Sequence, residues 1–378
     1  MPLDLFAPFN LGGLTLANRM VMAPMTRNRA DADGCVPPLM VDHYRQRATA
    51  GLIVAESTTV SPQAVGYPFT PGLYTGAQAA SWRRLTDAVH EEGGRIFVQL
   101  QHCGRISHPD LLDGQAPVAP SALAPAGRAV TYSGAQDFVT PRALGAGELP
   151  DVVDQFRRAA ALARQAGFDG IEVHAGNGYL IDQFLRDGTN HRTDAYGGSA
   201  TARLRLLDEV LDAVCEQWPT EQVGVRLTPE NGFNSMSDSD PQGHFEYFLR
   251  QLSARGLAYA HVLEGGMATT TVSLDYSRLR KRFAGAYIAN NGYDLARAQA
   301  AVRAGTADLV SFGTPFIANP DLVHRYRENL PLAAADPAGF YGGGEAGYTD
   351  YPFHQGDAPQ TRALATEADA RPAAGAAR

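Results

Sequence analysis

The sequence predicts an α/β fold, a (β/α)8 TIM barrel, on three observations. Short β-branched and apolar runs alternate with longer helical patterns, which implies parallel βαβ units. There are eight such runs, which suggests a closed barrel rather than an open sheet. The residues just after each run are polar, and barrel enzymes do their chemistry at the C-terminal ends of the strands.

In chain order, Leu11–Leu16, with Gly12-Gly13, reads as a hairpin closing the bottom of the barrel. The strand candidates are Arg19–Ala23, Leu52–Glu56, Arg95–Leu100, Gly170–His174, Val223–Leu227, Tyr259–Leu263, Tyr287–Ala289 and Leu309–Phe312. The segment from about 103 to 147 is rich in Pro, Gly and Ser and shows no helical stripe. An insertion after strand 3 lies at the mouth, where barrel enzymes carry lids. Val153, Phe156, Ala160 and Ala163 form an apolar stripe, with Gly167 as its stop. Leu204, Leu207, Leu211 and Val214 form another, with Ser199 as N-cap. Phe245, Phe248, Leu249 and Leu252 form a third, ended by Gly256. Asp294 caps a fourth, which Gly305 ends. A doubly wound sheet is the alternative architecture, but no G-x-G-x-x-G follows the first strand. Residues 1–354 read as one barrel domain, and 355–378, poor in large apolar residues, as a disordered tail.

Composition narrows the function. Of 378 residues, 44% are hydrophobic and 19% charged, enough for a large core. The net charge of −8 argues against nucleic-acid and anionic-membrane partners, both of which need a basic face. No apolar run approaches the ~18 residues of a membrane span. The start lacks the basic and long apolar stretches of a signal peptide. Three scattered cysteines, Cys35, Cys103 and Cys215, fit a reducing cytoplasm and make neither a disulfide framework nor a zinc site. No metal is expected. Lys281, the only lysine, lies in a basic run that reads as a solvated face, which weakens a Schiff-base or P-loop mechanism.

The strand ends carry the candidate chemistry. They present Pro24-Met25-Thr26-Arg27, Ser57-Thr58, Gln99 with His102, and His174 with Asn177 and Tyr179. Arg226, Asn290-Asn291-Gly292 and Gly313-Thr314 complete the ring. Glycines after strands 7 and 8 free backbone N–H groups for a phosphate, the usual cradle of barrel enzymes. Together these suggest a phosphorylated cofactor rather than a metal. His174 and Asn177 can both donate to one substrate oxygen. Tyr179 holds a proton at pH 7 and suits a general acid.

At these residues the chain resembles the old yellow enzyme family of FMN-dependent ene reductases. The resemblance runs over roughly residues 3–353. It rests on Ala23-Pro-Met-Thr-Arg27, Ser61-Pro-Gln-Ala-Val-Gly-Tyr67, the run Val98–His108, and the run Ala166–Leu180 with its Glu-Val-His-Ala-Gly-Asn-Gly-Tyr core. Arg192–Ser199, Phe312–Leu322 and Gly347–Pro352 follow in the same order.

The resemblance implies non-covalent FMN reduced by NADPH or NADH, with activated alkenes as substrates and a monomer or homodimer. It implies that Pro24 and Met25 border the flavin ring and that Thr26 bonds its O4. Ser57 would bond the ring through its backbone N–H, and Gln99 the pyrimidine edge. Arg226 would sit by N1 and O2. Asn291, Gly292, Gly313 and Thr314 would hold the phosphate. His174 and Asn177 would bind the substrate carbonyl, Tyr179 would protonate the α carbon, and Tyr67 and Tyr341 would wall the cavity. The sequence departs from the family pattern in three places. Thr314 stands for the usual phosphate-binding arginine, Asn290-Asn291 stand where relatives often have smaller residues, and Gln101 replaces a common tryptophan.

His102 and His108 are expected to be structural. Arg142 is either a contact to reductant or substrate or a surface arginine. The alternatives in function are a nitrate-ester or nitro-compound reductase at the same flavin, a flavin-free phosphate-binding lyase or isomerase, and a flavin-holding binding protein without turnover.

Overall fold

The computed structural model describes residues 4–267 and 272–354. The tail expected to be disordered, 355–378, lies outside the described residues. Eight parallel strands close into a barrel: β1 Met20–Met22, β2 Leu52–Thr59, β3 Ile96–Gln101, β4 Gly170–His174, β5 Val223–Leu227, β6 Tyr259–Leu263, β7 Ala286–Asn290 and β8 Leu309–Phe312. Neighbours follow sequence order around the ring, with β8 pairing β1 and β3 pairing β4. Almost every strand residue is buried, because one face fills the barrel and the other meets the helices.

The helices follow the predicted stripes. The principal ones are α1 Pro38–Arg45, α2 Gly76–Glu91, α3 Leu149–Gln165, α4 Leu180–Leu185, α5 Ala200–Cys215 and α6 Pro241–Ser253. They continue with α7 Tyr276–Arg280, α8 Leu295–Ala304, α9 Thr314–Ala318 and α10 Leu322–Arg327. On α3, Val153, Phe156, Ala160 and Ala163 are buried in the layer between helices and barrel. Truncating Phe156 to alanine there is expected to cost about 3–5 kcal/mol. Ser199 Oγ accepts from the Ala202 N–H and starts α5, and Asp294 Oδ1 accepts from the Arg297 N–H and starts α8. Gly305 ends α8 at φ +68°, a conformation that suits glycine. Among the described residues, no helix is long and apolar enough to cross a membrane.

The hairpin Phe9–Leu11 and Leu14–Leu16 buries Leu11 and Leu16 against Val21, Leu52, Ile288 and Leu309. It sits at the N-terminal end of the barrel, since Gly12 abuts the carbonyl of Glu221 just before β5. Between β3 and α3 the chain forms a paired Val118–Ala119 and Arg142–Ala143 and a hairpin, Arg128–Thr131 with Gly134–Asp137. Strand β2 runs three residues beyond the expected Glu56. Its pairing with β3 shifts between Val54 and Ser57. Such a bulge re-aims the side chains after it and sets Ser57 opposite Gln99.

Candidate active site

Strand register explains the floor of the site. Pairing sets Ser57 beside Gln99, Gln99 beside Glu172, His174 beside Arg226, Arg226 beside His261, and Asn290 beside Ser311. Polar residues from seven strands therefore meet at adjoining levels inside the barrel. Above them opens a cavity of ≈ 990 Å³. The residues expected to bind cofactor or substrate line it: Pro24, Met25 and Thr26 after β1, Ser57, Tyr67 and Gln99, then His174, Asn177 and Tyr179. Arg226, Asn291, Gly292, Gly313, Thr314 and Tyr341 complete the set.

The floor is a continuous hydrogen-bonded network. Ser57 Oγ donates to Gln99 Oε1, and Gln99 Nε2 donates to Glu172 Oε1 at 2.6 Å. Glu172 Oε2 lies 2.8 Å from His261 Nδ1. His261 Nε2 lies 2.7 Å from both Arg226 Nη1 and Ser311 Oγ. Arg226 Nη2 donates to Asn290 Oδ1 at 2.9 Å. Burial raises the Glu172 carboxyl, but His261, Arg226 and Gln99 outweigh it and hold the group below its usual range. Burial, and then Arg226, hold the His261 imidazole down. So the carboxylate is ionised and the imidazole neutral at pH 7. The network then fixes the tautomer: Nδ1–H donates to Glu172 and Nε2 accepts from Arg226. The guanidinium has five donors, and these bonds leave some for a ligand.

The end of β4 and the loop after it carry the reactive side chains. The His174 ring makes no hydrogen bond among the described residues. Burial, and then Arg226, push its pKa down to about 3, so it is neutral and has one N–H to give. Asn177 adopts φ +57°. Its backbone N–H is held by Thr228 Oγ1 at 2.8 Å and its carbonyl by Asn234 Nδ2 at 2.7 Å. Asn231 Nδ2 donates to Asn177 Oδ1 at 3.1 Å, which leaves the Asn177 Nδ2 donor for a ligand. Tyr179 begins α4. Its ring meets His174 edge-on at 5.2 Å, and its hydroxyl donates to Tyr67 at 3.3 Å. Burial pushes both hydroxyls above the ordinary tyrosine range, so both keep their protons.

The remaining wall comes from loops. Thr26 and Thr314 present hydroxyls without a hydrogen-bond partner among the described residues, and Gly313 packs on Met25. Gly292 adopts φ +63°, whereas the Asn291 side chain is spent on the carbonyls of Glu264 and Gly266. What Asn291 offers a ligand is backbone. Arg297 is the nearby cation, but it donates to the Asn291 and Gly292 carbonyls and pairs with Glu264 at 3.4 Å. Tyr341 sits on a loop pinned from below. Arg27 donates to the Phe340, Gly339 and Gly347 carbonyls, and Arg29 to those of Gly339, Gly344 and Ala346.

Other expectations resolve simply. Arg142 does not line the cavity; it grips Glu148 through two bonds of 2.7 and 2.8 Å, which is the surface reading. His102 is buried with Nδ1 accepting from the Gly104 N–H, and His108 caps a short turn at Asp110. Sequence reading missed Glu172, His261 and Ser311. The signal was present for Glu172: it precedes His174 by two, so both face the same way on β4. It also missed the apolar rim residues Phe69, Val130, Phe233 and Met267. Phe69, Phe233 and Met267 sit in loops without periodicity, and Val130 in a four-residue strand, Arg128–Thr131, too short to show one.

The chain is similar to known proteins over most of its length. The model of the NADH:flavin oxidoreductase / NADH oxidase family matches residues 4–333. A Leishmania infantum protein named "Probable flavin mononucleotide-dependent alkene reductase" is 43% identical over 352 residues, covering 92% of this chain and 96% of that protein. The 12-oxophytodienoate reductase 1 of Oryza sativa subsp. japonica is 42% identical over 362 residues, 93% of each chain. The structure of morphinone reductase in complex with tetrahydroNAD superposes with a TM-score of 0.90 at 46% identity, over 95% of this chain and 99% of that one. The old yellow enzyme homologue from Zymomonas mobilis gives 0.90 at 41% identity, over 92% and 99%.

Proposed function

This chain is a member of the old yellow enzyme family of NADH:flavin oxidoreductases, and on that premise we propose that its cavity reduces the activated C=C bond of α,β-unsaturated carbonyls, maleimides and nitroalkenes. It is a flavin-dependent oxidoreductase, which removes the flavin-free lyase or isomerase reading. FMN is the flavin proposed, with NADPH or NADH as reductant. The donor set fits such a group. Ser57, Gln99, Arg226 and Thr26 offer the mixed donors and acceptors that the polar edge of a flat heterocycle needs. Gly313 adds shape: a Cβ there would stand 3.3 Å from Met25 Sδ, so the bare glycine keeps the cradle open. Gly292 and Gly313 would approach the phosphate through backbone, and Thr314 would add a hydroxyl rather than a charge.

The chemistry supplied by bound flavin is hydride transfer, from the reduced nicotinamide to the ring and from ring N5 to the β carbon of the alkene. The chain's own residues do the rest. His174 gives one N–H and Asn177 gives Nδ2, and both would hold the substrate's carbonyl or nitro oxygen as negative charge develops on it. Tyr179 holds a proton that the α carbon accepts. Tyr67 orients that hydroxyl from 3.3 Å away. Arg226, fixed by His261 and Asn290, would set a positive charge beside the pyrimidine edge.

The observation that carries this reading is that the end of β4 and the loop after it bring an unbonded neutral imidazole, a free amide donor and a protonated phenol to one wall of the cavity. The test is an absorbance spectrum, an anaerobic NADPH titration and addition of 2-cyclohexenone. A band near ~450 nm that bleaches with NADPH and returns with the enone is expected. A protein that stays colourless with excess FMN, or bleaches and ignores every activated alkene, overturns the proposal.

A further inference from the structure

Glu172 is a complete negative charge with no access to the cavity and no role in the scheme above. It is fully buried, as is His261, and neither lines the cavity wall. Burying an ion costs several kcal/mol unless partners offset it. Here the partners are Gln99 at 2.6 Å and His261 at 2.8 Å, and His261 in turn holds Arg226 at 2.7 Å. The two side chains it reaches, one directly and one through the imidazole, are those proposed to face the flavin's pyrimidine edge. We propose that Glu172, acting through His261, is a positioning residue that sets both the orientation of Arg226 and the net charge presented to the flavin, and hence the flavin's reduction potential.

This inference rests on the function proposed above, because it needs flavin beside Arg226. Its physics has two separable parts. The carboxylate partly cancels the guanidinium, and charges at this depth interact strongly because little water screens them. The imidazole acceptor fixes the Arg226 fork. Removing the charge and removing the acceptor therefore have opposite consequences. In Glu172→Gln, Arg226 stays in place uncompensated, and the negative charge gained on reduction is better stabilised. In His261→Asn, the fork loses its nearest acceptor, and that stabilisation weakens.

The experiment is the midpoint potential of the flavin-loaded wild type, Glu172→Gln and His261→Asn, measured against a reference dye under anaerobic conditions. Glu172→Gln is expected to shift the ratio of reduced to oxidised flavin at fixed potential at least ten-fold toward reduced, a rise of about 30 mV for a two-electron couple. His261→Asn is expected to shift it in the opposite direction. A purely packing role would leave the potential unmoved or move both variants the same way, and either result overturns the inference. If Glu172→Gln fails to retain flavin, an unmoved potential in His261→Asn overturns it alone. Failure of the underlying reading looks different: the wild-type chain would then bind no flavin or turn over no alkene.

Discussion

At the floor of the cavity, Ser57, Gln99, Glu172, Arg226, His261 and Asn290 are each hydrogen-bonded to another of the set, whereas at the rim Phe69, Val130, Phe233, Met267 and Tyr341 stand 43–68% exposed. The floor residues come from consecutive strands, β2 to β7, and barrel register fixes their heights. The rim residues come from the β2–α2, β3–α3, β5–α6 and β6–α7 connections and from the loop after α10. Strands cannot slip without inverting their faces, while loops tolerate change. The floor is thus suited to a fixed cofactor and the rim to a variable substrate. Tyr179 belongs to neither: it hangs from a loop but is buried like the floor.

Removing that one hydroxyl gives the largest expected effect. Tyr179→Phe should slow reoxidation by 2-cyclohexenone by about 10²–10⁴-fold, the range for loss of a general acid. Anaerobic bleaching by NADPH should be unchanged, because no proton is given to substrate in that half. Stopped-flow measurement of the two halves separates them, and equal losses in both would refute the assignment. The same variant separates alkene from nitro reduction, since hydride attack on a nitro group does not need that proton.

Breaking the floor should instead cost stability. Arg226→Met removes the cation behind His261 while leaving Glu172 buried, so it should cost part of the about 3–5 kcal/mol of a directly broken buried pair. The denaturant midpoint of the flavin-free protein reads this. Adding Glu172→Gln should restore part of the loss, because the stranded charge is then gone. A double variant as unstable as the sum of the singles would mean that the two are not coupled.

How much of this was legible in the sequence follows the same division. The barrel was legible because eight short apolar runs and the α3 and α5 stripes repeat with clear periods. The cavity-facing residues were legible where they stand at or next to the end of a strand, as with His174 and Arg226. Glu172 carried only its spacing of two from His174, which gives its face but not its partners, and His261 carried nothing, because a polar residue in mid-strand does not show what it will meet across the barrel. Register decides that, and register is a property of the closed sheet. Ser57 was placed after strand 2 rather than within it because the bulge that re-aims it leaves no compositional trace. Thr314 was legible as a departure, but only the structure shows that the nearby Arg297 is already engaged by two carbonyls and Glu264. The rim was not legible because its side chains follow loop geometry, such as Phe69 at φ +55°.

Away from both floor and rim, Glu56 is buried against Tyr44 of α1, and it gives a pH-dependent test. Its carboxyl accepts from the Arg27 N–H at 3.2 Å and the Tyr44 hydroxyl at 3.3 Å, at the root of the loop bearing Tyr341. Burial raises its pKa from 4.5 to about 7. A raised carboxyl contributes stability that is fully present below its unfolded pKa and is lost as pH rises through the folded one. The loss should amount to about 3 kcal/mol between pH 4.5 and 7.5, at 1.36 kcal/mol per unit. Glu56→Gln should flatten the unfolding free energy over this window. A slope as steep as wild type would place the titration elsewhere. His174 and Tyr179 should not titrate here, because the first lies near 3 and the second above its usual range.

The rim should give the smallest effect and the most selective one. Tyr341 is 68% exposed on a loop that Arg27 and Arg29 hold by its backbone, so its side chain can be shortened without unpinning the loop. An enone with an apolar substituent would cover part of this ring on binding; a small enone would not reach it. Covering ~40 Å² of apolar surface at about 25 cal/mol per Å² is worth ~1 kcal/mol, or about five-fold in affinity. Tyr341→Ser should therefore raise KM about five-fold for 2-cyclohexenone bearing a long alkyl chain and leave it unchanged for 2-cyclohexenone itself, with kcat unaltered for both. A matching rise for the small substrate would move Tyr341 from the rim to the floor's side of the comparison, and a change in kcat would mean that it reaches the reacting atoms.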